Sequence, residues 1–177
     1  MTWLALDVDY RKDAAQKEFA SVAAVAFDEW TAERPVFESV HRVPEVHPYE
    51  PGAFYKRELP SLLTAIHAAL ARGVSLDGIV VDGYVWLGPS HAGLGAKLHE
   101  YLQTISLGGV AIVGVAKKHF AGADSVACAI ERGSSKNALW ISSEGIELSD
   151  AARKVKQMHG EFRIPTLLRR VDQLCRA

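Results

Sequence analysis

The sequence predicts an α/β fold in which a mixed central sheet is flanked by helices. Three strand-like segments follow one another in the first 43 residues with short polar connections, which is typical of an antiparallel meander. Further along the chain, wholly apolar strands alternate with helical patterns, which is typical of parallel strands covered on both faces. A chain of 177 residues without repeats or a linker has the length of one domain, so we expect residues 1–177 to form a single domain.

The composition excludes several classes of protein. Hydrophobic residues make up 49% of the chain and charged residues 23%, which excludes disorder, collagen and a coiled coil as descriptions of the whole chain. No apolar run approaches the ~18–20 residues of a membrane helix, and no signal-peptide pattern precedes the first strand. We therefore expect a cytoplasmic protein without a membrane partner. Cys128 and Cys175 lack metal-ligand spacing and are interpreted as packing thiols.

The net charge of −1 gives no direct sign of a nucleic-acid partner. A basic surface is the usual electrostatic footprint of a protein that binds nucleic acid. A nucleic-acid enzyme nevertheless remains open, because bound metal ions can supply positive charge locally at a cleavage site.

The first half of the chain contains the three strands and one long helix. The strands are predicted over Thr2–Tyr10, Glu18–Phe27 and Pro35–Val43. His47–Gly52 holds two prolines and a glycine around a tyrosine, so it forms a shaped loop rather than a strand or helix. Apolar residues at helical spacing then predict a helix from about Arg57 to Arg72, with an acid and a proline in its first turn.

The second half alternates strands and helices. Gly78–Gly83 is predicted as a buried strand, Tyr84–Gly93 as a loop, Leu94–Gln103 as a helix and Val110–Val115 as another apolar strand. The remaining elements are two strands and two helices, predicted at Ser125–Ile130, Ala138–Ile141, Ser149–Met158 and Thr166–Arg176. A three-strand meander followed by alternating helices and parallel strands is the arrangement of an RNase H-like fold.

Three acids stand where the predicted topology brings them together. Asp7 interrupts the first strand, Asp82 ends the first parallel strand, and Glu58 opens the long helix that packs beside both strands. Converging carboxylates repel one another unless a cation lies among them, and oxygen ligands without histidine or cysteine favour Mg²⁺ or Mn²⁺. Ions of this kind support phosphodiester hydrolysis, and Lys117 beyond the last parallel strand could hold the developing phosphate charge. Taken singly, each acid is more typical of a turn or a helix terminus.

Five segments, in the same order along the chain, resemble motifs of the endonuclease V family. The most specific is Pro48–Glu58 (PYEPGAFYKRE), which resembles the family's PYIPG…FRE motif with matched spacing. The other four are Leu6–Tyr10 (LDVDY, similar to GVD), Val80–Gly83 (VVDG, similar to VDG), Val113–Lys117 (VGVAK, similar to IGVAK) and Phe162–Arg169 (FRIPTLLR, similar to RRIP-x-P-x-R). The resemblance covers most of the chain and implies an RNase H-like, metal-dependent endonuclease of DNA repair.

The resemblance implies a role for each matched residue. Asp7, Asp82 and Glu58 would bind Mg²⁺ or Mn²⁺, and Lys117 would be the catalytic lysine. The wedge loop that separates strands beside a damaged base would consist of Pro48, Tyr49, Pro51 and Gly52; a packed surface loop is the alternative. The substrate would be DNA or RNA that contains a deaminated base, inosine, with cleavage of a nearby phosphodiester bond.

Two segments depart from the family pattern. After the VDG aspartate the family carries G-x-x-HPR, whereas this chain places Gly88 and Ser90 at the histidine and arginine positions. His91 could substitute, or it could be an ordinary loop histidine. The family's VSPGH reads as Ile141–Gly145 (ISSEG), so Glu144 either replaces that histidine as a metal ligand or caps a helix. The expected base pocket includes Gly83 and His91, with Trp86 as a stacking residue or as a buried loop aromatic.

Three functions remain open from the sequence. The first is an active, inosine-directed endonuclease V-like enzyme, supported by the complete set of acids and the lysine. The second is a related nuclease with an altered substrate, and the third is a non-catalytic module that binds nucleic acid or protein. Asp9 lies on the same side of the first strand as Asp7 and is a candidate outer metal ligand.

Overall fold

A seven-stranded mixed sheet forms the centre of the protein in the computed structural model, which describes residues 1–177. In chain order the strands are β1 (Trp3–Lys12), β2 (Glu18–Phe27), β3 (Phe37–Val43), β4 (Gly78–Asp82), β5 (Trp86–Gly88), β6 (His91–Ala92), β7 (Ala111–Ala116), β8 (Ala127–Ile130) and β9 (Leu139–Glu144). The spatial order of the large sheet is β3-β2-β1-β4-β7-β9-β8, while β5 and β6 form a separate small hairpin.

Four helices cover the two faces of the sheet. They are α1 (Tyr55–Ala71), α2 (Leu94–Thr104), α3 (Leu148–Lys156) and α4 (Thr166–Arg176), and a single 3₁₀ turn spans Ala121–Ala123. The apolar side chains of α1 and α2 pack on one face, and those of α3 and α4 pack on the other. None of the helices combines the length and the apolar character that crossing a membrane requires.

The first three strands form the predicted antiparallel meander. Trp3 lies opposite Phe27 at one end of the β1–β2 ladder, and Lys12 lies opposite Glu18 at the other. β2 is rich in alanine and valine and is almost wholly buried, because α1 covers one of its faces and α4 the other. The boundaries predicted for β2 agree with the observed ones.

The parallel strands also agree with the prediction. β4 lies between β1 and β7 and runs parallel to both, and its first four residues are buried. β9 adds an antiparallel strand beside β7, and β8 forms the edge. The observed sheet order and helix placement are those of an RNase H-like fold, as predicted.

Three local predictions are corrected by the structure. The helix α1 begins at Tyr55 rather than near Arg57, so Pro60 lies in its second turn instead of its first. The predicted loop at Tyr84–Gly93 contains the β5–β6 hairpin, whose strands are too short to give a periodic pattern. β9 continues to Glu144, beyond the predicted end at Ile141. A serine is not typical of a core position, but Ser142 is buried here because its hydroxyl accepts the N–H of Val85 at 2.8 Å.

Candidate active site

Asp7 and Asp82 lie where the neighbouring strands β1 and β4 stop pairing with each other. The parallel ladder between β1 and β4 ends with Leu6 opposite Val81, and the two aspartates follow directly. The side chain of Asp7 is buried, with 9% of the residue exposed, and accepts the N–H of Val8 at 2.8 Å, while Asp82 is exposed. The predicted adjacency of the two strands is thus observed, and it brings the two carboxylates together.

Glu58 joins this pair from the first turn of α1. Burial raises the pKa of Glu58 to about 8, and the negative charges of Asp82 and Asp7 add to that effect. Burial, followed by the charge of Asp82, raises the pKa of Asp7 to about 7. The mutual influence of the three carboxyls shows that α1 and the strand ends converge on one acidic centre.

Arg57 fixes the start of α1 beside the acidic centre. Its guanidinium forms an ion pair with Glu18 on β2, donates to the carbonyl of His47 at 3.0 Å and lies 4.0 Å from the ring centroid of Tyr10 on β1. A planar guanidinium can make these contacts together, whereas an ammonium is a single point charge. The loop before α1 and the helix that carries Glu58 are therefore tied to the same two strands.

Lys117 follows β7 and faces the acids. Its Nζ lies 3.3 Å from Oδ2 of Asp82, and its positive charge lowers the pKa of Asp7 against the effects of burial and Asp82. Arg163 donates to the main-chain carbonyls of Lys117, Ala138 and Asn137, with the last two distances both 3.0 Å. The lysine backbone is thereby held just beyond the last pair of the β7–β9 ladder.

A fourth carboxylate, which the sequence reasoning missed, comes from α4. Carboxylate oxygens of Asp7 and Asp172 and the sulfur of Cys175 all lie within 4.8 Å of one another. Burial alone would raise the pKa of Asp172, but the hydrogen bond and charge of Arg176 outweigh it and leave the pKa lowered. The signal available in the sequence was an acid between Leu168 and Cys175 on the apolar stripe of the last helix.

Asp9 lies one step outside this centre. It accepts a hydrogen bond from Arg11 Nε at 2.9 Å, and its Oδ1 lies 3.6 Å from Nη1 of Arg176. The Nε of Arg176 also donates to Asp172 at 2.8 Å. Asp9 is therefore connected to the acidic centre through Arg176, a position that suits an outer ligand sphere.

Glu144 lies away from the acidic centre. It pairs with Ile112 in the β7–β9 ladder, three residues before Val115, which lies opposite Asp82; this separation is about 10 Å along the strand. Its Oε2 accepts the indole N–H of Trp86 at 2.8 Å. The helix-cap alternative for Glu144 is wrong, because Glu144 ends β9 and no side chain caps α3, and its contact with Trp86 directs its carboxylate to the indole.

A cleft of about 250 Å³ opens beside Glu58 and Asp82. Gly83, predicted for the base pocket, lines it, but Trp86 and His91 do not, because Trp86 is turned toward Glu144 and His91 lies exposed on β6. The remaining lining residues are Gly52, Phe54, Tyr55, Tyr84, Leu87, Ala92, Gly93 and Leu94. The cleft connects the acidic centre with the loop that precedes α1.

That loop carries the predicted wedge. Tyr49 is 68% exposed between Pro48 and Pro51, and Gly52 adopts a φ of 78°, which favours glycine. Gly52 also lines the cleft, so the tip of the loop stands at its rim. An exposed, proline-flanked aromatic on a loop that reaches the cleft through Gly52 has a shape that can enter a base stack.

The fold and the site define the class of protein to which the chain belongs. It is an RNase H-like protein whose acids gather where the parallel strands β1 and β4 stop pairing. The sequence profile of the family described as Endonuclease V matches residues 2–173. The Endonuclease V of Streptomyces avermitilis is 31% identical over an alignment of 182 positions, which covers 91% of this chain and 74% of the relative.

The chain belongs to the endonuclease V family, a family of nucleases. Two solved structures share its fold. The Ciona intestinalis Endonuclease V in complex with a DNA 24-mer that contains an inosine has a TM-score of 0.74 at 16% identity, covering 99% of this chain and 84% of that one. Human endonuclease V has a TM-score of 0.72 at 22% identity, covering 99% and 82%.

Proposed function

We propose that this chain is an endonuclease that uses Mg²⁺ or Mn²⁺ to hydrolyse a phosphodiester bond near inosine in DNA or RNA, and that residues 1–177 act as one domain. The observation that carries the proposal is the convergence of Asp7, Glu58 and Asp82 at one end of the cleft, with Lys117 beside them. Membership of the endonuclease V family supports the reaction class.

The donor set of the acidic centre fits a hard divalent cation. Asp7, Glu58, Asp82 and Asp172 offer carboxylate oxygens, which are the ligands that Mg²⁺ and Mn²⁺ prefer. Burial, with the repulsion among these acids, raises the pKa of Asp7 to about 7 and that of Glu58 to about 8, and a cation bound among them would favour the ionised carboxylates. A bound ion of this kind lowers the pKa of a coordinated water and neutralises phosphate charge.

The other residues near the centre position the phosphate and the base. Lys117 presents an ammonium next to Asp82, where it can hold the charge that develops on a phosphate oxygen. Tyr49, with Pro48, Pro51 and Gly52, forms the wedge, and the cleft lined by Gly83 receives the displaced base. The Ciona relative, which was solved with inosine-containing DNA, supports this substrate class.

A nuclease with an altered substrate is the second candidate. It is favoured by the wall of the cleft, where Leu87, Ala92 and Leu94 stand near the segment that lacks the histidine and arginine of the family pattern. An apolar wall discriminates weakly between bases that differ in one polar group, because it leaves no buried partner unpaired. Under this alternative the acids retain their function and the preference for inosine is lost.

Cleavage of labelled oligonucleotides tests the proposal. Single- and double-stranded DNA and RNA, each with one inosine or with adenine at the same position, are incubated with Mg²⁺, Mn²⁺ or EDTA. Expected is nicking near inosine that requires the ion, is lost in Asp82→Asn and persists in Asp150→Asn, which changes an exposed aspartate of α3. Equal cleavage of the adenine substrates supports the altered substrate, and no cleavage by folded protein overturns the inosine-directed enzyme; a Mn²⁺ titration then separates a nuclease with another substrate, which binds the ion, from a protein without a metal site.

A further inference from the structure

The thiol of Cys175 is buried at the border between the apolar core under α4 and the acidic centre. Asp172 and Cys175 are three residues apart on α4, so both side chains face β1. The sulfur lies within 4.8 Å of a carboxylate oxygen of Asp7 and of Asp172, and Cys175 has no exposed surface. Its S–H donates only to the main-chain carbonyl of Asp172, at 3.2 Å.

We propose that Asp7, Asp172 and Cys175 form a binding site for a thiophilic divalent cation such as Zn²⁺ or Cd²⁺, which excludes Mg²⁺ or Mn²⁺ from the two aspartates. The exclusion rests on the proposed function, which assigns Asp7 and Asp172 to the hard ion. Binding of the thiophilic ion itself does not depend on nuclease activity.

The mixed donor set is the physical reason for the preference. Carboxylates alone favour hard ions, whereas a thiolate strengthens binding of soft or borderline ions and contributes little to Mg²⁺. A tetrahedral zinc has bonds of about 2.3 Å to sulfur and about 2.0–2.2 Å to oxygen, so its donor atoms are roughly 3.5 Å apart. The donor atoms of Asp7, Asp172 and Cys175 lie within 4.8 Å of one another, so side-chain shifts of roughly 1 Å would bring them to that spacing.

Binding converts the thiol into a thiolate. The S–H bond of Cys175 breaks, the sulfur–metal bond forms with the electron pair of that bond, and the proton passes to the buffer. No group is oxidised or reduced. Affinity for the soft ion therefore increases with pH. Binding of the soft ion releases a proton from the sulfur of Cys175, whereas binding of Mg²⁺ at the same carboxylates does not.

The chain provides its own control, because it contains only one other cysteine. Cys128 lies half-buried on β8 and belongs to no group of metal-ligating side chains. A thiolate bound to Cd²⁺ gives an ultraviolet ligand-to-metal charge-transfer band that carboxylate ligands do not give. The band therefore reports on cysteine ligation directly and without a nuclease assay.

The test is a Cd²⁺ titration of the reduced protein, followed by ultraviolet absorbance, for the unaltered chain, Cys128→Ser and Cys175→Ser. We expect a saturable band in the unaltered chain and in Cys128→Ser, and its loss with at least about 100-fold weaker Cd²⁺ binding in Cys175→Ser. Folding of each variant is followed by circular dichroism. If Cys175→Ser fails to fold, persistence of the band in Cys128→Ser still assigns it to Cys175.

Three results would overturn the inference: no band in the unaltered chain, a band lost in Cys128→Ser, or a band retained in Cys175→Ser. Excess Mn²⁺ should also reduce the apparent affinity for Cd²⁺, because both ions use Asp7 and Asp172; no competition would overturn the shared site. Nuclease activity without a charge-transfer band would reject this inference and leave the proposed function intact. A charge-transfer band in a protein without nuclease activity would support the thiophilic site and count against the proposed function.

Discussion

The guanidinium of Arg163 donates to the main-chain carbonyl of Lys117, whose ammonium in turn lies 3.3 Å from Asp82. The backbone of the segment that carries Arg163 is fixed by buried Arg132, which donates five hydrogen bonds to main-chain carbonyls between Lys156 and Arg163. A chain of backbone contacts thus connects the segment before α4 to the lysine at the acidic centre.

Replacing Arg163 with methionine should impair turnover more than substrate binding. Without the three carbonyl contacts the backbone of Lys117 loosens, and a displacement of about 1 Å at a reacting group can cost about 100-fold in rate. We expect kcat to fall at least about 10-fold with little change in KM, and Arg163→Lys should not restore it, because lysine lacks the planar fork.

Steady-state cleavage kinetics check this prediction, with Arg153→Met as the control. Arg153 is exposed on α3 and pairs only with Asp150, so its loss should leave the kinetic constants unchanged. A folded Arg163→Met protein with unaltered kcat would show that Lys117 needs no such support.

Asp172→Asn should weaken metal binding, whereas Glu144→Gln should leave it unchanged. Asp172 lies with Asp7 in the acidic centre, so its neutralisation should weaken Mn²⁺ binding at least about 10-fold. Glu144 contacts the indole of Trp86, and glutamine can still accept that N–H through its amide oxygen. Mn²⁺ titration by electron paramagnetic resonance measures both affinities, and weaker binding in Glu144→Gln alone would reverse the assignment.

The metal-free protein should become less stable as the pH rises from about 5 to about 8. The folded pKa values of Asp7 and Glu58, about 7 and about 8, exceed the ordinary values of 3.8 and 4.5, so the folded state binds more protons than the unfolded state in this range. Each group can lower the free energy of unfolding by up to about 1.4 kcal/mol per pH unit. The loss of free energy of unfolding is complete at pH values above the folded pKa of each group and absent at pH values below its unfolded pKa.

Urea unfolding in EDTA across this pH range measures the slope. Glu58→Gln should flatten it, and Mg²⁺ should raise stability most at the alkaline end, where both carboxyls are ionised. The carboxyls whose pKa is lowered, Glu18, Glu38 and Asp172, change stability mainly below this range. A stability that is constant or increases between about pH 5 and 8 in EDTA would contradict the prediction.

Tyr49→Ala should reduce cleavage of double-stranded substrates more than that of single-stranded ones. A wedge acts by filling the stack when a base leaves a duplex, and a single strand needs little help of this kind. Phe162→Ala is the matched control, because Phe162 is similarly exposed, at 55% against 68%, but lies in the segment before α4 rather than on the loop that reaches the cleft through Gly52. Equal losses on both substrates, or the same loss in Phe162→Ala, would argue that Tyr49 is only a surface aromatic.

Much of the fold could be predicted from the sequence because its signals are local. The buried run of β2 and the apolar strands β4 and β7 have unmistakable patterns, and their order indicates the sheet topology. The β5–β6 hairpin was missed since strands of two or three residues have no period. The continuation of β9 was missed because Ser142 is buried through a hydrogen bond to Val85, a partner 57 residues away.

The sequence by itself determined three of the acids, Asp7, Glu58 and Asp82. The position of each one depends only on the strand or helix that carries it, and those elements have clear local patterns. Only the tertiary structure decided which further residues join them. Asp172 and Cys175 lie more than 160 residues from Asp7 in the chain, and α4 brings them to β1 by packing its apolar stripe on the sheet. Glu144 is nearer in sequence to Asp82, but it lies on β9, with β7 between the two strands, and its partner Ile112 is three residues before the partner of Asp82. Register, which depends on every pair in the sheet, decides where a strand residue stands.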